Sequence, residues 1–189
     1  LYDLVMGRLT ERVAVITGGG SGIGRATAVR FAEQGAVAVV VDIDAKGAAT
    51  TVELIEKDGG TACWFECDVT DVEAVDSVTK SVIERYGAID ILVTAAATSV
   101  GKKIPDTLPE EWDQVFAVNV KGTYLWMRAC IPLMTKGTGS IVALASQLAI
   151  SGGLSNAAYI ASKGAIVSLC RTAANDHASE GIRINCILP

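Results

Sequence analysis

The scarcities of this 189-residue sequence narrow its function first: one histidine, four prolines and no surplus of positive charge. Sixteen basic residues stand against 21 acidic ones, for a formal net charge of −5. Lys and Arg are scattered rather than striped, so no basic surface for nucleic acid or an anionic membrane is expected. No apolar run approaches membrane-spanning length; the strongest, Val37 to Val41, ends at Asp42. The N-terminus lacks a basic segment followed by an apolar one, which argues against a secretory leader and for a cytoplasmic protein. Nothing is built on Leu1 to Val5, since Leu1 is no initiator and Met6 serves equally as a start or an internal residue.

Five cysteines, Cys63, Cys67, Cys130, Cys170 and Cys186, form an odd and widely spaced set. That suits reduced, packed thiols better than a disulfide framework. Cys63 and Cys67 would share a strand face, but the lone His177 lies far away on a polar helical stretch, so no metal site is expected. No linker, charge block or internal repeat divides the chain. With half its residues hydrophobic, the sequence can bury one substantial core, and a single domain over 1–189 is the expectation.

Short apolar runs alternate with longer segments of helical period, the pattern of a parallel sheet covered by helices. Strands are expected at Val13 to Thr17, Val37 to Asp42, Thr61 to Glu66, Ile89 to Ala95, Ser140 to Ala145 and Arg183 to Leu188. Helices are expected at Gly22 to Gln34, Ala45 to Lys57, Val72 to Tyr86, Pro109 to Met134 and Ser155 to Ser179. Thr70 and Glu73 stand at capping-box spacing before the third helix, and Gly35 is a stop after the first. Strands such as Val37 to Val41 are apolar on both faces, so helices should cover both sides. The fold class is therefore α/β, a Rossmann-type doubly wound parallel sheet.

Two motifs carry chemistry. In Thr17-Gly-Gly-Gly-Ser-Gly-Ile-Gly24, glycines follow one another after three residues and then after one, where a strand should end and a helix begin. Exposed N–H groups and the positive helix end there can receive a pyrophosphate, and Gly22 and Gly24 let the backbone approach it. Asp42 closes the second strand, where a carboxylate can accept hydrogen bonds from an adenosine ribose and would repel a 2′-phosphate. Neither Ser21 nor Ile43 supplies a cation for such a phosphate, so NAD is favoured over NADP. The second motif is Tyr159-Ile-Ala-Ser-Lys163, whose Tyr and Lys project from one helical face four residues apart. A nearby ammonium favours phenolate, whose parent phenol ordinarily ionises near pH 10.

With Ser146 ending the fifth strand thirteen residues before Tyr159, and Asn119 inside a helical segment, the sequence resembles the short-chain dehydrogenase/reductase family. The resemblance runs over essentially the whole chain. Thr17 to Gly24 is similar to the family's cofactor motif, Cys67-Asp68-Val69 to its adenine-contact segment, and Asn119-Val-Lys-Gly122 to its Asn-containing helix. Arg183 to Pro189 resembles its strand leading into a Pro-Gly turn. The resemblance implies a catalytic set of Asn119, Ser146, Tyr159 and Lys163. Tyr159 would be the general acid/base and Ser146 would position the substrate oxygen. Lys163 would lower the Tyr159 pKa and hold the nicotinamide ribose, and Asn119 would anchor a water joining Lys163 to solvent. It implies NAD contacts from Gly18, Ser21, Gly22, Ile23, Gly24, Asp42, Asp68, Val69, Ala95, Ala96 and Pro189 as well as from Tyr159 and Lys163. Hydride would pass directly between nicotinamide and the carbon of a small alcohol or ketone, with no metal.

Two features depart from the family pattern. Thr94-Ala-Ala-Ala97 stands where Asn-Asn-Ala-Gly is usual, losing side-chain amides that brace the sheet and leaving Ala95 and Ala96 to act through backbone. The chain ends at Pro189, before the substrate loop and last strand that the resemblance leads one to expect. Helices from Pro109 and Ser155 carry Trp126 and Leu169, which could face a partner in a homodimer or homotetramer or pack in the core. A 3-oxoacyl-carrier-protein reductase is an alternative that Asp42 speaks against, and a dinucleotide-binding protein without turnover is another.

Overall fold

The structure, a computed structural model, describes residues 7–189; residues 1–6 of the expected domain lie outside the described residues. Six strands form one parallel sheet in the order β3-β2-β1-β4-β5-β6: β1 (Val13–Thr17), β2 (Val37–Asp42), β3 (Thr61–Glu66), β4 (Ile91–Thr94), β5 (Ser140–Leu144) and β6 (Arg183–Ile187). The order reverses between β1 and β4, which pair from Ala14 with Ile91 to Thr17 with Thr94. That reversal opens a crevice at the carboxyl ends of the two central strands.

Alternate residues of the central strands feed two cores, the consequence of a two-residue period in a sheet covered on both faces. Ala14, Ile16, Ala38 and Val40 pack under helices α1 (Gly22–Glu33) and α2 (Ala45–Lys57). Val15, Val39, Val41 and Leu92 face the other way, toward α3 (Val72–Tyr86), α5 (Gly122–Cys130) and α7 (Ala157–His177). Trp126 lies wholly within this second core, so it does not face a partner, whereas Leu169 packs partly buried against it. Cys63, Cys67, Cys130 and Cys170 are buried here as free thiols, and Cys186 is half-buried.

At the amino ends of the strands, buried Asp90 accepts from Arg12 Nη1 at 2.8 Å and from the Val13 amide at 2.9 Å. That satisfies a carboxylate which would otherwise be costly to bury. Backbone bonds from Asp90 and Ala95 prolong β4 beyond its four core residues, toward the longer strand expected.

Three local expectations change. The cap of α3 is Asp71, not Thr70: its carboxylate sits one residue nearer the helix and accepts from both the Glu73 and Ala74 amides. The long helix expected from Pro109 to Met134 is broken into α4 (Pro109–Phe116), a π-helical turn (Ala117–Lys121), α5 and a final 3₁₀ turn. The π turn inserts one residue, seen in the Gly122 amide donating to Ala117 O, and it holds Asn119. A four-residue helix, α6 (Leu148–Ser151), follows β5 where none is expected.

Candidate active site

A cleft of about 580 Å³ runs along the carboxyl edge of the sheet from the glycine turn to Tyr159. Its first wall is the turn between β1 and α1. Ser21, at the N-cap of α1, makes no side-chain capping bond, and no acidic residue occupies the first turn. α3 is capped by its own Asp71, whereas the first amides of α1 have no side-chain partner and, with Ser21 to Gly24 lining the cleft, can receive an anion there.

The glycines are needed for different reasons. Gly18 has φ +64° and packs so tightly that a Cβ would stand 2.6 Å from Ala96 N. Gly24 crosses Gly18 so closely that a Cβ would collide with Gly18 O. Gly22, at φ +52°, would meet nothing within 4 Å, so its missing side chain keeps the mouth of the turn open.

Asp42 bounds one end of the cleft. Oδ2 accepts from Gly20 N at 2.9 Å and Oδ1 from Asp44 N at 3.0 Å. Each oxygen thus retains acceptor capacity for ribose hydroxyls. Half-buried Arg25 holds the other side of Gly20, donating to Gly20 O and, through Nε, to Thr51 Oγ1 at 3.0 Å. Cys67, Asp68 and Val69 line the next stretch, with Asp68 closing its own turn onto the Thr70 amide and hydroxyl.

The Thr94-Ala-Ala-Ala97 segment is braced without asparagines. Thr17 Oγ1 accepts from the amides of Ala95 and Ala96 at 3.2 and 3.3 Å. Asn119 clamps the following residue, accepting from Thr98 N at 2.8 Å and donating to Thr98 O at 3.0 Å. The Thr94 hydroxyl itself is buried without a partner.

At the opposite end stand Ser146, Tyr159 and Lys163. Ser146 follows β5 by two residues, and its Oγ accepts from Leu148 N at 3.3 Å, a bond made by the unexpected α6. Lys163 is 2% exposed; Nζ donates to Leu144 O at 2.6 Å and lies 5.4 Å from the Tyr159 ring centroid. Burial pushes its pKa down to about 8. A cation beside a phenol, with a buried hydroxyl nearby, can hold a carbonyl oxygen and move a proton to or from it.

All the cofactor-binding residues expected from the sequence, from Gly18 to Pro189, line this one cleft, and so do Ser146, Tyr159 and Lys163. Asn119 does not. It is fully buried, and both its side-chain N–H groups are taken, by Thr98 O and by Ser162 Oγ at 2.9 Å. Its backbone carbonyl accepts from Thr123 Oγ1 at 2.8 Å. The side-chain donors therefore cannot anchor a water for Lys163; they tie the Thr98 loop to α7. Sequence reasoning missed Leu144 and Thr98, which act through backbone atoms that no side-chain pattern reveals. It also missed Gln114 and Val118, brought into the wall by the helix around the π turn.

The fold and this cleft define a dinucleotide-binding α/β protein: a helix start without a side-chain cap, a carboxylate at the end of β2 and a close-packed glycine turn share one crevice. A family model described as short chain dehydrogenase matches residues 12–189, and the chain belongs to that family. It is 35% identical over 186 residues to a 3beta-hydroxysteroid dehydrogenase of Mediterraneibacter gnavus, covering 98% of this chain and 67% of that protein. It is 34% identical over 182 residues to the meso-2,3-butanediol dehydrogenase of Serratia marcescens, covering 96% and 72%. Among solved structures, an NAD+-bound xylitol dehydrogenase superposes with a TM-score of 0.93 at 34% identity, covering 96% of this chain and 71% of that one. The chain is thus an oxidoreductase of the short-chain type, acting on alcohols.

Proposed function

We propose that this chain is a single dinucleotide-binding and catalytic domain that interconverts a secondary alcohol and its ketone with NAD. The observation that carries the reading is the continuity of one cleft between the glycine turn with Asp42 at one end and Ser146, Tyr159 and Lys163 at the other. The α1 amides would hold the pyrophosphate, Asp42 the adenosine ribose, Cys67 to Val69 the adenine, and Lys163 the nicotinamide ribose. Bound NAD supplies the hydride acceptor, and NADH the donor. In oxidation the Tyr159 phenolate takes the hydroxyl proton; in reduction its phenol returns a proton to the carbonyl oxygen. Ser146 donates a hydrogen bond to that oxygen, and the Lys163 ammonium steadies negative charge on Tyr159. Asn119 braces the Thr98 loop through its side chain, and its backbone carbonyl, with one lone pair left beside the Thr123 bond, would anchor the water that joins Lys163 to solvent.

Asp42 supports NAD over NADP because a 2′-phosphate would face a carboxylate, which also weighs against the acyl-carrier-protein reductase reading. Four buried free thiols fit a reducing, cytoplasmic setting, and among the described residues no helix is long and apolar enough to cross a membrane. Half-exposed Tyr124 and Trp112 on α5 and α4 offer apolar surface for a homodimer or homotetramer. The test is a screen of secondary alcohols with NAD, read by absorbance of reduced nicotinamide, on wild type and Tyr159→Phe. Loss of a positioned acid/base lowers turnover by roughly 10² to 10⁴ while leaving NAD affinity near wild type. A Tyr159→Phe protein with wild-type turnover would refute the mechanism.

A further inference from the structure

We infer that Ser162 is a positioning residue for catalysis, holding the Tyr159 turn in register with the cofactor-side loop through a buried hydrogen-bond chain. The inference rests on the alcohol dehydrogenase reading above. Ser162 is fully buried and does not line the cleft. Its hydroxyl donates to Tyr159 O at 2.7 Å and accepts from Asn119 Nδ2 at 2.9 Å. Asn119 in turn grips Thr98 through both its amide and its carbonyl. The chain therefore runs Thr98 to Asn119 to Ser162 to Tyr159, and its two ends, Thr98 and Tyr159, both line the cleft.

Three elements meet in these bonds: the loop after β4, the π turn and α7. The π turn matters because its extra residue belongs to the segment that carries Asn119 into the core between the other two. A buried, fully satisfied chain of this kind admits one arrangement, since slipping any member leaves a desolvated donor or acceptor unpaired. What it holds constant is the offset between Ala95 and Ala96, expected against NAD, and the Tyr159 hydroxyl, expected against the substrate oxygen. The Ser162 hydroxyl bonds to Asn119 and to the Tyr159 carbonyl and not to the Tyr159 hydroxyl or Lys163 Nζ, so its effect is on geometry and not on the ionisation of either group.

Removing the hydroxyl in Ser162→Ala leaves the Asn119 grip on Thr98 intact and cuts the chain at its midpoint. With the panel alcohol that wild type turns over fastest, kcat should fall roughly tenfold, because small displacements of reacting groups are costly in rate. The apparent pKa of the kcat profile should stay in place, and Ser162→Thr, which keeps the hydroxyl, should recover most of the rate. Tyr159→Phe is measured beside it, with thermal melts and with amide exchange over residues 95–98 and the 157–163 turn. Faster exchange in both segments together with the kcat loss supports the inference. A lowered Tm with kcat within twofold of wild type would make Ser162 merely structural and overturn it, as would a kcat loss that moves the apparent pKa. Should Ser162→Thr not fold, Ser162→Ala and its exchange pattern decide alone. Wild-type turnover in Tyr159→Phe sinks the underlying reading instead, whatever Ser162→Ala does.

Discussion

Replacing Lys163 by methionine should make the cofactor-free protein more stable while removing its activity. Lys163 is 2% exposed, and desolvation takes its pKa from an ordinary 10.5 to about 8. Holding the charged amine at neutral pH therefore costs roughly 3 kcal/mol relative to the unfolded chain. Methionine fills a similar volume without that charge. It leaves Leu144 O without the bond from Nζ, a loss of about 1 kcal/mol. The net gain is roughly 2 kcal/mol, which for a chain of this size raises Tm by roughly 4–8 °C. The pH dependence gives a second check. The folded pKa lies below the unfolded one, so between pH 8 and 10.5 the unfolded chain retains a proton that the folded chain has released, and wild-type stability from this residue rises across that window. The advantage of Lys163→Met should be full below pH 8 and should shrink as pH climbs toward 10.5. Thermal melts by circular dichroism without NAD, at pH 7 and at pH 10, provide the comparison. A variant no more stable than wild type at pH 7, or one whose advantage is the same at both pH values, refutes the argument that this lysine is held at a cost for function.

Gly18→Ala and Gly22→Ala should separate fold from function: the first forces a Cβ to 2.6 Å from Ala96 N and lowers Tm strongly, while the second meets no atom within 4 Å, lowers Tm only through the strain of its φ of +52°, and chiefly weakens NAD binding. Parallel melts and NAD titrations read the difference, and equal effects on both would count against the anion-binding role of the glycine turn. Asp42→Ala should raise affinity for NADP relative to NAD by at least tenfold, the order of one charge-assisted contact; wild type binding both cofactors equally would contradict the role given to Asp42. Thiol labelling of the native protein should modify Cys186 first. The other four cysteines are buried, and burial pushes Cys130 and Cys170 up to about 12 and, with Asp68 and Asp71 nearby, Cys67 to about 11. Mass spectrometry of the labelled peptides checks it, and early modification of Cys130 would argue that the core opens readily.

The strands and most helices were legible because each is written in local terms. Val37 to Val41 must be buried on both faces, Gly35 can turn where other residues strain, and the glycines of 18 to 24 need a bend. The same local logic placed the Tyr159 and Lys163 side chains on one helical face. Where it failed, a long-range contact outweighed it. The segment from Pro109 to Met134 reads as one helix, yet the gain from sending Asn119 to Thr98 and Ser162 accompanies a π turn in its middle. The α3 cap moved by one residue because Asp71 competes with Thr70 for the same amides.

Which residues could bind a dinucleotide and move a proton is written in the amino-acid order, because those capacities belong to residue types at fixed spacing. Only the tertiary structure decided that they share one cleft, since that follows from the parallel order β3-β2-β1-β4-β5-β6 bringing strand ends distant in sequence side by side. It alone decided that Asn119 braces a loop, that Thr17 replaces missing amides, and that Leu144 holds Lys163. These are backbone bonds and buried partners whose sequence separation, from 19 residues for Lys163 to 79 for Thr17, leaves no periodic trace in the chain.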